Sequence, residues 1–245
     1  MKLKVLVVVV LLLTPAVAAC QTPVAGPSYN VAPPACPYVG PTIQFHGDSV
    51  GAELPKFMNL PGYGVFNASQ GGSALTIDSY VPLIGERVHQ WIEECGHPQM
   101  VIVQGGVNDM ASGVKAADIL AADRAISDYL AGLGIPAVFL TMHPFANNLV
   151  GGEPDGYQWM QPVRLAYNEL LQAPDNGLIG TVVDCVDVLE DPADPGWLRP
   201  EFYKYEGFSF SPSEGLVPHA DGTHMSQDGY STYADCLTDK IRHLL

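Results

Sequence analysis

From Thr42 onward the chain alternates short apolar runs with longer amphipathic stretches. Thr42–His46, Gly64–Asn67, Met100–Gln104, Ala137–Met142 and Thr181–Val186 read as strands. Between them, Val50–Met58, Val81–Glu94, Ala116–Leu133 and Gln161–Gln172 read as helices, and a last helix is expected from Gln227 to about His243. Strands buried on both sides and separated by helices imply a parallel sheet covered on both faces. The expected fold is therefore α/β, a three-layer α/β/α sandwich with about five parallel strands. There is no internal repeat, and a domain spanning residues 42–245 is large enough for one sizeable core. Pro144–Tyr157 and Asp187–Ala220 break the rhythm and read as long loops of the kind that carry function.

The residues ahead of Thr42 read differently. Lys2 and Lys4 precede an apolar run, Val5 to Val17, interrupted only by Thr14 and Pro15, and Val17-Ala18-Ala19-Cys20 ends it. Residues 1–19 thus read as an export signal too short for a comfortable membrane span. The run into Cys20 resembles the lipobox of bacterial lipoproteins. That resemblance implies cleavage before Cys20, a diacylglyceryl group on its sulfur, and a protein anchored by lipid to the membrane of a bacterial cell envelope. The other reading is an ordinary secretory signal cut after Ala19, with Cys20 in a disulfide and the protein secreted. Residues 20–41, rich in Pro, Gly, Ala and Ser, read as a tether whose far end is pinned by Cys36.

With Cys20 set aside, Cys36, Cys95, Cys185 and Cys236 remain. An even number in an exported chain predicts two disulfides, with three pairings open. No Cys-x-x-Cys or His-x-x-x-His spacing suggests a structural metal. The net charge of −15, more negative still once Lys2 and Lys4 are removed, argues against nucleic acid and against strongly anionic partners.

In an open parallel sheet, ligands sit beyond the carboxyl ends of the strands. Gly47-Asp48-Ser49 follows the first expected strand, Asn67 to Ser73 the second and Gly105 to Asp109 the third, while Asp221-Gly222-Thr223-His224 comes after the last. All four segments fall on one edge. A nucleophile, amide donors and an Asp/His base pair are the parts that acyl transfer through a serine requires. The chance of Gly-Asp-Ser, Gly-x-Asn-Asp and Asp-x-x-His occurring together is on the order of one in a thousand, before their order is required.

These segments resemble the conserved blocks of the SGNH hydrolases, the GDSL esterase/lipase superfamily. Gly47-Asp48-Ser49 matches the first block. Asn67-Ala68-Ser69-Gln70-Gly71-Gly72 resembles the second, with Gly72 in the glycine position. Gly106-Val107-Asn108-Asp109 matches the third and Asp221-Gly222-Thr223-His224 the fifth. Residue 50 is Val where the GDSL name has Leu. The resemblance covers nearly all of residues 42–245 and implies a flavodoxin-like arrangement. It implies that Ser49 is the nucleophile, His224 the general base and Asp221 its orienting carboxylate. It also implies an oxyanion hole from the backbone N–H groups of Ser49 and Gly72 and the side-chain amide of Asn108. No metal or organic cofactor is called for.

Each residue also has a plainer reading. Gly-Asp-Ser can be an ordinary turn, Asn108-Asp109 a helix cap, and Asp221-Gly222 a tight turn with His224 merely exposed. Asp48 and Asp109 are expected to tie loops together. His46 is expected to pack or hydrogen-bond beside the nucleophile turn, His143 is a candidate for lining the pocket, and His219 is a competitor for the base. The aromatic cluster Trp197, Phe202, Tyr203, Tyr205, Phe208 and Phe210, with Tyr157 and Trp159, reads either as a substrate platform or as loop packing. The substrate expected from an envelope location is an O-acyl ester on carbohydrate or glycolipid. A short-chain carboxylesterase or lipase, a carbohydrate O-acyltransferase, and a non-catalytic glycan-binding lipoprotein are the other readings.

Overall fold

The computed structural model describes residues 36, 39–76, 80–147, 149–150, 153–154, 158–211 and 215–245. The expected export signal, Cys20 and most of the expected tether lie outside the described residues. At the centre is a five-stranded, wholly parallel sheet. It contains β1 (Thr42–Gly47), β2 (Gly64–Asn67), β3 (Met100–Gln104), β4 (Ala137–Leu140) and, after two small hairpin strands, β7 (Thr181–Val183), in the order β2-β1-β3-β4-β7. The expected three-layer α/β fold is the one observed. Every residue of β1, β3 and β4 is buried, which is why these strands read as unbroken apolar runs rather than as alternation.

Successive strand residues point to opposite faces, and each face has its own core. Val101, Val103 and Phe139 pack with α2 (Tyr80–Cys95), α4 (Ala116–Gly132) and α5 (Gln161–Gln172) through Ile84, Val88, Ile119, Leu130 and Leu171. Ile43, Phe45, Ile102 and Leu140 pack on the other face with α1 (Ser49–Glu53) and α6 (Gln227–Arg242), through Val50, Tyr233, Leu237 and Ile241. Tyr233, Leu237 and Ile241 recur every four residues on one stripe of α6 and are at most 1 % exposed. Burying an apolar side chain of this size stabilises the fold by about 1.5–3 kcal/mol.

Two disulfides, Cys36–Cys95 and Cys185–Cys236, resolve the open pairing. Bridges of this kind persist in oxidising compartments, which points to a place outside the cytoplasm. Among the described residues, no helix is long and apolar enough to cross a membrane.

Three expectations change. The helix expected over Val50–Met58 ends as an α-helix at Glu53 and continues as a 3₁₀ turn, Leu54–Phe57, because Pro55 has no N–H to extend the α ladder. The stretch Pro144–Tyr157 contains a two-residue pairing of β5 (Leu149–Val150) with β6 (Glu153–Pro154). The stretch Asp187–Ala220 is largely β hairpin. There β8 (Glu190–Asp191) pairs with β9 (Asp194–Leu198), and the long β10 (Tyr203–Ser211) pairs antiparallel with β11 (Gly215–Met225). The prolines that hid these strands are tolerated because each ribbon strand has a partner on one side only, so an N–H can be lost from the free side. Asp221 to His224 consequently lie at the end of β11, not in a loop after the last strand.

Candidate active site

β1 and β3 approach so closely at their carboxyl ends that a Cβ on Gly47 would sit 2.4 Å from the backbone oxygen of Gln104. Only glycine allows the chain to turn there. Asp48 then caps α1, its Oδ1 accepting from the Val50 N–H at 2.9 Å. Burial pushes the Asp48 carboxyl up to about 6, against the opposing pull of the Val50 and Gly51 amides. The cap leaves Ser49 as the first residue of the helix, half-buried at the sheet edge.

Asp221 and His224, the expected base pair, lie on β11. Gly222 adopts φ +90°, a backbone that favours glycine, and the chain curls over its own carboxylate. Asp221 Oδ1 accepts from the Thr223 N–H at 3.2 Å, the Thr223 hydroxyl at 3.0 Å and the His224 N–H at 3.0 Å. Its other oxygen, Oδ2, faces His224 Nδ1 at 2.6 Å, and His224 Nε2 lies 2.8 Å from Ser49 Oγ. A carboxylate can only accept, so Nδ1 carries the proton and Nε2 is free to accept from the serine hydroxyl. The hydrogen bond to Asp221 raises His224 above its ordinary range, against desolvation, which lowers it. Partial burial would raise Asp221, but the side-chain and backbone bonds from His224 outweigh it and hold the carboxyl below the usual carboxylate range. His143 braces the turn from beneath, with Nε2 2.7 Å from the Thr223 carbonyl oxygen, and the Ala146 N–H holds the Gly222 carbonyl at 3.0 Å. Burial lowers His143 to about 4, so it is neutral near pH 7 and donates through Nε2.

The third part is built on α3 (Val107–Ala111), which starts after Gly106 at φ +108°. Asn108 donates one amide hydrogen to the Ser73 carbonyl at 2.8 Å, which fixes the plane of the amide. Asp109, fully buried, accepts from the Leu75 N–H at 2.7 Å, the Thr76 N–H at 2.8 Å and the Thr76 hydroxyl at 2.6 Å. The segment after β2 is also held by the Gln70 N–H on the Gly47 carbonyl at 2.8 Å, and by Arg87, which donates to the Ala68 carbonyl and to Gln70. Gly71 borders the site, a Cβ on it lying 3.9 Å from that of Ser49, while Gly72 has φ +77° and open space around it. These segments open onto a cleft of about 590 Å³ beside Ser49 and His224, walled by Phe57, Met225 and Tyr230 and edged by Glu53 and Lys204. Phe57 and Tyr230 stack with ring centroids 5.9 Å apart. Among the described residues no cluster of three or more His, Cys, Asp or Glu side chains could hold a metal ion.

No protein-family model and no curated protein matches the chain. Solved structures do. A GDSL-like lipase from Bacteroides thetaiotaomicron superposes with a TM-score of 0.58 at 15% identity, over 83% of this chain and 89% of that one. A protein assigned as an SGNH hydrolase from Slackia heliotrinireducens gives 0.57 at 17% identity, over 83% and 100%. A member of the lipolytic G-D-S-L family from Veillonella parvula gives 0.52 at 14% identity, over 81% and 96%. The fold is that of the SGNH hydrolases.

Within this SGNH frame, Ser49, His224 and Asp221 lie in one hydrogen-bonded line, although Ser49 and His224 are 175 residues apart. Asp109 ties α3 to the segment after β2, whereas Asp48 caps its own helix. His46 is buried and bonded to Gln44 at 3.0 Å, and burial, with Arg87 nearby, lowers it to about 3. His143 is also fully buried, under the Asp221–His224 turn rather than at the cleft surface. The side chains of His219 and Phe210, and Tyr157, lie outside the described residues. The aromatic cluster divides: Phe202 is buried, Trp197 and Tyr203 pack against the cores, and Tyr205, Phe208 and Trp159 are exposed. Not one of these six lines the cleft. Its walls, Phe57 and Tyr230, were missed because neither stands near a motif. Only the apolar stripes of the two helical segments hinted that they would meet.

Proposed function

We propose that this chain is a serine ester hydrolase that works through an acyl-enzyme on Ser49. The observation that carries this reading is the hydrogen-bonded line from Asp221 through His224 to Ser49, at 2.6 and 2.8 Å. In the proposed reaction His224 Nε2 takes the hydroxyl proton as Ser49 Oγ attacks the acyl carbon, and Asp221 stabilises the imidazolium that forms. The imidazolium then gives its proton to the leaving alcohol. Water, deprotonated by the same nitrogen, releases the acid and restores Ser49. Asn108 spends one amide hydrogen on Ser73 and has a second for the oxyanion. The backbone N–H groups of Ser49 and Gly72 are its proposed companions.

We further propose that the substrate is an O-acyl group, acetyl above all, on carbohydrate or glycolipid of a bacterial cell envelope, and that lipid on Cys20 keeps the enzyme there. The lipobox-like Val17-Ala18-Ala19-Cys20, the two disulfides and the cleft support this: its stacked Phe57 and Tyr230 beside polar edges suit a sugar ring as well as a short acyl chain. The test is hydrolysis of p-nitrophenyl esters from acetyl to dodecanoyl by the protein and its Ser49→Ala variant. Turnover of short esters that Ser49→Ala abolishes is the expected result. Equal activity in a folded Ser49→Ala protein would overturn the site, and a preference for long chains would overturn the O-acetyl substrate in favour of a lipase.

A further inference from the structure

Lys204, on β10, lies against the triad from outside. Its Nζ is 3.2 Å from Asp221 Oδ2, the same oxygen that receives His224 Nδ1–H, and 3.2 Å from Glu206 Oε1. The carboxylate it touches is 6 % exposed, whereas the lysine is 46 % exposed. Apart from the catalytic imidazole, Lys204 is the one basic side chain among the described residues that line the cleft. We propose that Lys204 is a positioning residue that shares the Asp221 carboxylate with His224 and thereby weakens the hold of the base on its proton.

The electrostatics follow from the neighbours on every side. From the nucleophile turn, buried Asp48 acts on His224 in the direction of protonation, and Glu53 stands at the cleft edge. Asp221 of β11 acts in the same direction and more strongly. Behind the turn, His143 is neutral near pH 7, and α6 contributes Tyr230. On β10, Glu206 adds a carboxylate and Lys204 the opposing cation. Burial lowers Lys204, but the bonds to Asp221 and Glu206 outweigh it and keep the ammonium charged. In a site surrounded by carboxylates, Lys204 works with partial burial against the pull of Asp221 and Asp48 toward imidazolium, a form that cannot accept the Ser49 proton. Its consequence for rate rests on the ester-hydrolase reading. Its effect on the imidazole does not.

The experiment titrates the His224 imidazole by NMR in the full protein and in Lys204→Gln and Lys204→Arg variants, beside the pH profile of kcat/KM on neutral p-nitrophenyl acetate. Removing a partly screened positive charge next to the pair should raise the His224 midpoint by about 0.5–1 pH unit in Lys204→Gln. The acid limb of kcat/KM should move up with it, a roughly 3–10-fold loss of rate on that limb. Lys204→Arg should leave both in place. Asp48, pushed up by burial to about 6, is common to all three proteins. A midpoint in Lys204→Gln that stays or falls, or one that moves as far in Lys204→Arg, would overturn the assignment. Shifted midpoints with no esterase activity in any of the proteins would leave Lys204 in its role and refute the ester-hydrolase reading instead.

Discussion

Asn108 has two amide hydrogens on its side chain, and one of them has a structural use. One hydrogen is committed to the Ser73 carbonyl, which fixes the plane of the amide, so a bond from the other would carry no further ordering cost. If that second hydrogen meets the oxyanion, Asn108→Ala should lower kcat about 100- to 1,000-fold, the usual result of losing one such donor. KM should change little, because the charge exists only in the transition state. The measurement is steady-state kinetics on p-nitrophenyl acetate together with a melting curve, and a large rise in KM at unchanged kcat would contradict the role. At this scale the sequence was most legible where chemistry is written in short fixed spacings. Ser49, Asn108, Asp221 and His224 each stand in such a pattern. Lys204 and the bond from His143 to Thr223 do not, because each arises from the way β10, β11 and the segment after β4 lie together.

Elements decide where those residues end up, and the brace between α3 and the segment after β2 is the clearest case. Asp109 gathers three donors from Leu75 and Thr76 while fully buried, so the loop carrying Gly71 and Gly72 cannot move independently of the helix carrying Asn108. Asp109→Ala would strand two backbone N–H groups. We expect a loss of about 2–6 kcal/mol of stability, as each buried donor left unsatisfied costs ~1–3 kcal/mol. Activity should also fall in the protein that remains folded. Asp109→Asn, which keeps an acceptor oxygen but brings an amide donor among donors, should fall between the two. Denaturant titration and kinetics on the three proteins check the order, and an Asp109→Ala protein as stable as the parent would contradict it. The strands and longer helices were legible because two-sided burial and 3.6-residue spacing leave plain apolar patterns. The hairpins β8–β9 and β10–β11 were not. Two-stranded ribbons bury little, tolerate proline, and therefore lack the signature that separates strand from loop.

At the scale of the whole molecule, the two disulfides close loops of nearly the same length, with sequence separations of 59 and 51 residues. Loop-closure entropy alone would give each about 4 kcal/mol, with a difference of only ~0.1 kcal/mol between them. Any larger difference must come from the native state, and there the two bridges are unlike. Cys36 is exposed and ties the segment ahead of β1 to the end of α2. Cys185 is fully buried in the core beyond β7 and ties that end of the sheet to α6, the helix that starts three residues after His224. Replacing Cys185 and Cys236 by serine would put a hydroxyl into an apolar core as well as cut the link, whereas replacing Cys36 and Cys95 only cuts it. The Cys185→Ser/Cys236→Ser protein should therefore be less stable than the Cys36→Ser/Cys95→Ser protein by about 1–3 kcal/mol. Strong reductant should destabilise the parent by roughly 2–5 kcal/mol per bridge. Urea titrations of the parent, oxidised and reduced, and of both double variants measure these quantities. Equal losses in the two variants would mean that the bridges act through the unfolded chain alone, and that the core around Cys185 accepts a polar atom without penalty.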